Sequence, residues 1–278
     1  MNIVEATKGY EAWMGRCTAI VQTHLRDKHE QMRADLFAFC RATFYRWAQQ
    51  WPDVCGELQH APGVLAVGDL HVDSFGTWRD MEGRLCWGVD DFDEAYPLPY
   101  TNDLVRLAAS ARIVIDADQL VIKFKDACDA ILEGYRRTLR EGGCLIVLGE
   151  REVTLERLGI DAIEPPEDFW PKLQALRAPR QPLSKDLRRA LERSLPDARL
   201  EYQVVRREAG IGSLGQQRFV AIATWKGGLI AREAKAMVPS ACVWLDGRIR
   251  RGQSLYQRAI EGAVRSPAPF QFIAAEPG

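Results

Sequence analysis

Apolar side chains recur every three or four residues through the N-terminal part of the chain, which is the spacing of an amphipathic helix. This spacing predicts a helical segment over residues 10–51, which Pro52 should end because proline cannot continue a helix interior. Further helices are expected from Thr101 onwards, over residues 118–140 and over residues 184–193. Helix therefore dominates the predicted structure before residue 194.

Two short apolar runs interrupt the helical pattern, and each ends in acidic residues. The first lies in GVLAVGD and ends at Asp69, and the second lies in RLCWGVDDFDEA, where Asp90–Asp93 follow the apolar part. Short apolar runs bounded by polar loops are typical of strands. We predict two neighbouring strands, paired like a hairpin, with carboxylates at their ends.

The pattern changes after Pro196, where short apolar runs are separated by glycines. This predicts strand, glycine loop, strand, turn and strand over residues 200–236, which is an antiparallel meander. A helix over about residues 253–264 and a last strand in PFQFIAAEPG are expected to follow. That strand has no obvious partner strand, and an unpaired edge invites a second copy, so a homo-oligomer is an expectation.

Prolines are concentrated in residues 160–184, with a short helix expected inside the segment. Such a composition is typical of a boundary between lobes. We therefore predict an α+β protein with a mainly helical lobe over residues 1–183 and a small antiparallel-sheet lobe over residues 184–278.

Composition and charge narrow the classes of function. The chain has 37 Lys and Arg against 38 Asp and Glu, so bulk attraction to nucleic acid or to a membrane surface is not expected. No apolar run is long enough to span a bilayer, and the N-terminus does not resemble a signal peptide. Seven scattered cysteines without a CxxC pair favour reduced thiols, and with these features they predict a cytoplasmic location.

Acidic and imidazole side chains are concentrated in the 26 residues from Asp69 to Glu94. Such groups repel one another unless a cation or solvent relieves the charge, and carboxylate oxygens are ligands that suit Mg²⁺. Two interpretations of this cluster stay open, a metal site and a solvated acidic surface that binds no metal. The members of the cluster are Asp69, His71, Asp73, Asp90, Asp91, Asp93 and Glu94.

Three chemistries compete for this cluster. Metal-assisted phosphoester hydrolysis uses a D-x-H pair such as that of GDLH but needs further histidines downstream, and His71 is the last histidine. Phosphoryl transfer needs an Asp for the acceptor hydroxyl and a second Asp for Mg²⁺ on the nucleotide, which Asp69 and Asp91, 22 residues apart, could supply. The third is ligand or metal binding without catalysis.

A glycine pattern G-x-G-x-x-G lies between two predicted strands. Glycines let backbone N–H groups approach phosphate oxygens, and the strand-to-strand context favours a loop of the protein-kinase type over a dinucleotide-binding turn. The following strand carries Arg232 and Lys235, either of which could contact the phosphates. The next helix carries Glu261, an acid that could pair with that cation. A plain turn and surface charges are the alternative. The nucleotide-binding candidates are Gly210, Gly212, Ser213, Gly215, Arg232, Lys235 and Glu261.

The segment VGDLHVDSFGTWRDMEGRLCWGVDDFDEAYPLPYTNDLVRLAAS resembles the bacterial family known as domain of unknown function 2252. That family's pattern is roughly GDxHxxNFG, a strand ending in NDFDE, and D-L-x-R-L-x-x-S. The flanking segments LFAFCRATFYRWAQQWP and AGIGSLGQQRFVAI resemble it as well. The GDxHxxN and DFD motifs are similar in turn to those of aminoglycoside and choline phosphotransferases, which share the protein-kinase-like fold.

This resemblance implies roles for several residues. Asp69 would be the catalytic aspartate, and Asp91, with Asp93 beside it, would bind Mg²⁺. Asp103 would hold the catalytic loop through its backbone. His71 would brace that loop or act as a general base. Arg106, in the D-L-x-R part of the pattern, is taken as further structural support.

The motif order implies a circular permutation. In kinases the glycine loop and its lysine precede the catalytic loop, whereas here they follow it, so the resemblance implies a permuted kinase-like fold with the helical lobe first. The small lobe is expected to stop short of its last strands, as in a truncated relative. ATP and Mg²⁺ are the expected ligands, with a small-molecule or protein acceptor and neither nucleic acid nor membrane as partner.

Three departures from the family pattern bear on turnover. Ser74 stands where the pattern has a metal-binding Asn, although Asp73 beside it could substitute. Asp90 replaces the Asn before DFD. The family's K-E-A aligns with residues 232–234, which puts Arg232 in the lysine position and Lys235 outside it. These departures keep a catalytically silent nucleotide-binding or scaffold protein open as the alternative to a phosphotransferase.

Overall fold

The computed structural model describes residues 1–150, 157, 163–179, 182–208, 210–247, 254–262, 266–269, 271 and 273. Within these ranges the chain is a mixed α+β protein whose strands form small antiparallel sheets, which confirms the predicted class. No helix in the described ranges is both long enough and apolar enough to cross a bilayer.

The N-terminal helical segment is divided into four helices. Asp35 ends the second helix and begins the third, where its carboxylate accepts a hydrogen bond from the Ala38 N–H at 2.6 Å. Pro52 lies in the last turn of the fourth helix, so the predicted end is nearly correct. The helices are α1 (Ile3–Cys17), α2 (Gln22–Ala34), α3 (Leu36–Ala42) and α4 (Phe44–Val54).

The strand pairing predicted for the acidic segment is wrong. β1 (Gly63–Ala66) pairs with β4 (Tyr96–Pro99), while β3 (Leu85–Val89) pairs with β2 (Phe75–Arg79) and with β5 (Ile146–Val147). The two runs taken for neighbours therefore belong to different sheets.

The physical reason is the turn between β2 and β3. The carboxylate of Asp80 accepts hydrogen bonds from the backbone N–H groups of Glu82 and Arg84, at 3.0 and 2.9 Å, and this closes a tight hairpin. The Arg84 side chain also donates to Asp80. The residues after Ser74 thus form the partner strand of β3, which the pattern did not indicate.

Two helices follow β4, and both are predicted by the sequence. α5 (Tyr100–Ala117) begins one residue earlier than expected, without a side-chain cap from Thr101, whose hydroxyl instead donates to the Leu58 carbonyl at 2.7 Å. α6 (Phe124–Arg140) begins later than expected. Gln119, at φ 51°, has a left-handed backbone conformation that ends helical geometry between α5 and α6.

The predicted meander is confirmed. β6 (Tyr202–Arg206), β7 (Arg218–Trp225) and β8 (Gly228–Lys235) form an antiparallel sheet in that order. The remaining described helices are α7 (Pro166–Gln174), α8 (Lys185–Ser194), α9 (Ala241–Asp246) and α10 (Leu255–Gly262).

The C-terminal predictions are covered only in part. The ends of the helix predicted over residues 253–264 lie outside the described residues, and α10 accounts for its middle. Most of the last predicted strand also lies outside them, and the residues of that segment that are described, 269, 271 and 273, form no strand.

Three apolar clusters hold these elements together. The largest joins α1, α4 and α9 through buried residues such as Tyr10, Tyr45 and Val243. A second packs Phe92 against Ile260 of α10. The third packs α7 on the sheet of β6–β8, so α7, which precedes the predicted lobe boundary at residue 183, shares a core with the sheet that follows it. The boundary itself stays a prediction. The C-terminal elements therefore pack directly against the N-terminal helices.

Candidate functional site

One cleft brings together most of the residues that the sequence singled out. We call it the central cleft, and its walls are α2–α4, the loops after β1 and β3, the glycine loop between β6 and β7, and β8. Its volume is about 100 Å³. The predicted site residues that line it are Asp69, His71, Asp91, Asp93, Gly210, Gly212, Ser213 and Lys235.

Asp69 is held by a buried arginine. Arg106 donates from Nε to Asp69 Oδ1 at 2.6 Å, and its Nη2 contacts the same oxygen and donates to the Cys40 carbonyl at 2.8 Å. The Arg106 side chain is 1% exposed, and its guanidinium carbon lies 5.3 and 5.1 Å from the ring centroids of Phe44 and Trp47. These contacts fix the position of the Asp69 carboxylate at the cleft wall.

Asp103 fixes the backbone that precedes Asp69. Its two carboxylate oxygens accept hydrogen bonds from the N–H groups of Val67 and Gly68, at 2.7 and 3.0 Å. Burial raises the pKa of Asp103, while these N–H bonds oppose the rise. Gly68 has φ 86°, and a Cβ there would lie 2.3 Å from the Glu94 carbonyl oxygen, so only glycine fits this turn.

His71 and Ser74 brace the loop from inside. The Ser74 hydroxyl accepts a hydrogen bond from the His71 N–H at 3.0 Å and donates to the Asp69 carbonyl at 3.2 Å. The buried His71 ring contacts Phe37 edge-on, with the centroids 6.0 Å apart. Burial lowers the pKa of His71, which favours the neutral ring at pH 7.

The two further metal candidates, Ser74 and Asp73, interact with other groups of the protein. Ser74 is fully buried and bonded to the loop backbone, and exposed Asp73 forms an ion pair with Arg41 at 2.9 Å. Neither is among the described residues that line the cleft. Their interactions within the fold are therefore with the protein itself.

Asp91 and Asp93 lie together on the loop after β3. The Asp93 N–H donates to Asp91 Oδ1 at 3.2 Å, and the Asp93 carboxylate forms an ion pair with Lys235 of β8. Burial lowers the pKa of Lys235, but the carboxylates of Asp93 and Asp91 oppose this and the net shift is upward. Among the described residues no group of three or more His, Cys, Asp or Glu is arranged to hold a metal by itself.

The glycine loop docks on α2. Gly215 has φ 102°, a Cβ there would lie 2.6 Å from Leu25 Cδ2, and its carbonyl accepts a hydrogen bond from the Val21 N–H at 2.8 Å. The Gly212 carbonyl accepts a hydrogen bond from Lys28 Nζ at 3.1 Å. Two of the loop's glycines, Gly210 and Gly215, thus have positive φ, and Gly215 also makes a close approach that excludes a side chain.

Arg232 and Glu261 lie away from the cleft lining. Arg232 donates from Nε to the Ser194 carbonyl at the end of α8, at 2.7 Å. Glu261 of α10 accepts a hydrogen bond from Gln257 on the same helix. Of the two cations considered for phosphate, Lys235 is the one that lines the cleft.

Four charged residues of the cleft were not among the predicted site residues. Glu94 belongs to the acidic cluster, so its position in the sequence was a usable signal, but Lys28, Arg41 and Arg218 lie in ordinary helical or strand patterns. Arg218 donates to Glu233 at 2.9 Å and to the Ser213 hydroxyl at 3.1 Å. The cleft thus contains four acidic and four basic side chains. They are Asp69, Asp91, Asp93 and Glu94, and Lys28, Arg41, Arg218 and Lys235.

Glu94 is an acid of the cleft whose pKa is strongly raised. Burial raises its pKa to about 8, the carboxylates of Asp69 and Asp93 act in the same direction, and a hydrogen bond from the Ala241 N–H opposes them. That bond, 2.6 Å to Oε2, ties the loop after β3 to the start of α9. The raised pKa favours the protonated form of Glu94 at pH 7.

We expect Glu94→Gln to stabilise the protein at alkaline pH. The folded pKa lies above the ordinary value of 4.5, so the folded state binds more protons between pH 4.5 and 8, and stability falls as pH rises through that window. Glutamine resembles the protonated acid and keeps an acceptor for Ala241. At pH values above 8, the melting temperature of Glu94→Gln should be several degrees higher than that of the wild type. Near pH 4.5 the two melting temperatures should be equal. Glu133→Gln, on exposed α6, is the control, and an equal shift in both variants would contradict the assignment.

The comparisons with known proteins concern the first half of the chain. Residues 20–153 match the family model described as "Uncharacterized protein conserved in bacteria (DUF2252)", which supports the resemblance over that range. The matched range contains Asp69, Asp91 and Asp103, whereas the glycine loop lies beyond it. No curated protein and no solved structure matches the chain.

Proposed function

We propose that this chain is a phosphotransferase with a circularly permuted kinase-like arrangement, which transfers the γ-phosphoryl group of ATP to an unidentified hydroxyl acceptor. The observation that carries the proposal is the central cleft itself. Asp69, the Asp91–Asp93 pair and the glycine loop line it together, although the loop follows Asp69 far along the chain. Phosphoryl transfer needs an aspartate for the acceptor, carboxylates for Mg²⁺ and a device that holds phosphates.

The reaction assigns one step to Asp69. Its carboxylate accepts the proton of the acceptor hydroxyl while the hydroxyl oxygen forms a bond to the γ-phosphorus. The bond from that phosphorus to the bridging oxygen of the β-phosphate breaks, and ADP leaves. Arg106 and Asp103 keep the Asp69 carboxylate and its loop in position through the hydrogen bonds described above. Positioning of this kind supplies much of the catalysis in phosphoryl transfer.

Asp91 and Asp93 fit the needs of a nucleotide-bound Mg²⁺. That ion commonly takes one or two protein carboxylates and completes its coordination with water and phosphate oxygens. Two carboxylates on one short loop match this donor set, and the described His, Cys, Asp and Glu side chains do not add a third ligand to them. When bound, Mg²⁺ would neutralise charge that develops on the β- and γ-phosphate oxygens.

The ion pair between Lys235 and Asp93 has to open for the nucleotide to bind. The cleft, at about 100 Å³, is smaller than the roughly 300–1,000 Å³ of typical ligand sites. Separation of the pair would widen the cleft, free Asp93 for Mg²⁺ and leave Lys235 for phosphate. Each partner thereby exchanges one opposite charge for another, which lowers the cost of opening.

A catalytically silent nucleotide-binding protein is the alternative. The observation that favours it is Ser74, whose hydroxyl is bonded to the loop backbone and which is not among the described residues that line the cleft. A metal-dependent hydrolase would require a second metal site, and the described acidic and histidine side chains form no such cluster. The phosphotransferase accounts for more of the cleft, because it uses the glycine loop as well as the carboxylates.

Calorimetric titration of ATP tests the proposal. We expect ATP to bind the wild type in the presence of Mg²⁺, and Asp91→Ala to weaken this binding because a charged ligand is lost. Such a contact contributes about 1.5–3 kcal/mol, which is roughly tenfold or more in affinity. Asp129→Ala, on the exposed surface of α6, is the matched control. Absence of ATP binding in the wild type, or equal binding in Asp91→Ala, would contradict the proposal.

A further inference from the structure

Lys28 is a buried lysine that forms no ion pair within the described part of the chain. The residue is 5% exposed, and its Nζ donates a hydrogen bond to the Gly212 carbonyl at 3.1 Å. The other three cations of the cleft each form an ion pair within the described part of the chain. Arg41 pairs with Asp73, Arg218 with Glu233 and Lys235 with Asp93.

A buried ammonium group without a partner destabilises the folded protein. Burial lowers the pKa of Lys28, and the acidic groups of Glu11, Glu94 and Asp69 oppose this without forming an ion pair with it. A methionine would fill the same space without this cost. The presence of a basic residue at this position is explained if an anion occupies the neighbouring space when the protein is at work.

Arg41 supplies a second cation beside the same loop. A Cβ added at Gly212 would lie 3.7 Å from the Arg41 carbonyl oxygen, so the two backbones are close. Arg41 donates to Asp73 through Nη1, while its Nε is buried and has no hydrogen-bond partner in the described structure. Both Lys28 and Arg41 line the central cleft, on the side of α2 and α3.

These contacts distinguish the α2–α3 side of the cleft from the β8 side. On the β8 side Lys235 is already neutralised by Asp93, and Arg232 donates to the end of α8. On the α2–α3 side Lys28 forms no ion pair in the described structure, and Arg41, although paired with Asp73, keeps a buried Nε without a hydrogen-bond partner. Proteins commonly bind phosphate with the several N–H donors of an arginine guanidinium and with the ammonium group of a lysine. Here both side chains belong to residues that lie beside a glycine of the loop.

We propose that Lys28 and Arg41 form a phosphate-binding subsite at Gly212. The inference rests on the proposed function in that it names where that reaction would hold a phosphate group. The phosphate could belong to the nucleotide or to a phosphorylated acceptor, and the two sources share the same chemistry. A lysine on α2 would thus hold phosphate at the glycine loop in addition to Lys235 of β8.

The direct test uses inorganic phosphate and the full chain. We expect phosphate to raise the melting temperature of the wild type. Lys28→Met should melt at or above the wild-type temperature without anion, because an uncompensated charge is removed. Its calorimetric affinity for phosphate should fall by about tenfold or more. Lys28→Arg should keep the affinity, and Lys125→Met, an exposed lysine of α6, is the control.

Two results would overturn the inference. If Lys28→Met melts well below the wild type and binds phosphate as tightly, Lys28 is a structural tether of the glycine loop. If the wild type does not bind phosphate, the subsite does not exist. Should Lys28→Met fail to fold, Arg41→Met provides the same affinity measurement, and unchanged phosphate binding in that variant would contradict the proposal.

A non-hydrolysable ATP analogue with Mg²⁺ separates the two sources. Phosphate that binds in a Lys28-dependent manner while the analogue is saturating belongs to an acceptor, whereas phosphate displaced by the analogue marks the nucleotide's own position. Both results support the subsite. If the analogue does not bind at all but Lys28-dependent phosphate binding persists, the phosphotransferase proposal fails while the subsite stands.

Discussion

Replacement of Asp69 by asparagine is expected to lower ATP turnover by about 10²–10⁴-fold, the usual contribution of a positioned general base. Asparagine has nearly the same size and can still accept a hydrogen bond from Arg106, but it cannot take the proton of the acceptor hydroxyl. ATP affinity should therefore change little. Turnover can be measured as release of inorganic phosphate with water as the acceptor, and affinity by calorimetry.

Asp116→Asn is the matched control for this substitution. Asp116 is an exposed residue near the end of α5 that pairs with Arg112, so its loss should leave both turnover and ATP binding unchanged. Turnover that persists in Asp69→Asn would show that another group accepts the proton. If the wild type binds ATP and neither protein turns it over, the silent nucleotide-binding alternative is favoured.

Local sequence patterns predicted the elements better than their pairing. The meander of β6–β8 follows from alternating runs, glycine turns and short connections, all of which act within a few residues. The partner of β1 is β4, and nothing in either run indicates this choice. The turn at Asp80 makes β2 the partner of β3, because it brings the two strands together within a few residues. This turn depends on side-chain hydrogen bonds of Asp80, which a hydrophobic pattern does not encode.

The candidate site was predicted in part for a similar reason. Motifs on loops, such as the acidic cluster and the glycine pattern, are visible as unusual compositions, so their residues were found. Lys28 lies in the polar helix segment QTHLRDKHEQMRA, where a lysine looks like any solvated charge. Only tertiary packing buries it against Gly212, and Arg232, which looked equally suitable, faces α8 instead.

Replacement of Arg106 by methionine is expected to cost about 3–5 kcal/mol in the free energy of unfolding, as for other broken buried ion pairs. Methionine fills part of the space between Phe44 and Trp47, but it leaves the Asp69 carboxylate without its cation and the Cys40 carbonyl without its donor. Denaturant unfolding of the wild type and of the variant measures the difference.

Arg112→Met tests whether burial, and not the loss of any arginine from α5, causes the effect. Arg112 pairs with Asp116 on the same helix, but both side chains are more than half exposed, so this pair should contribute about 1 kcal/mol or less. A similar loss in the two variants would mean that the Asp69–Arg106 contact contributes no more than a surface pair. A large loss for Arg106 alone would identify this ion pair as the contact that anchors Asp69, the group to which the proposed reaction assigns proton transfer.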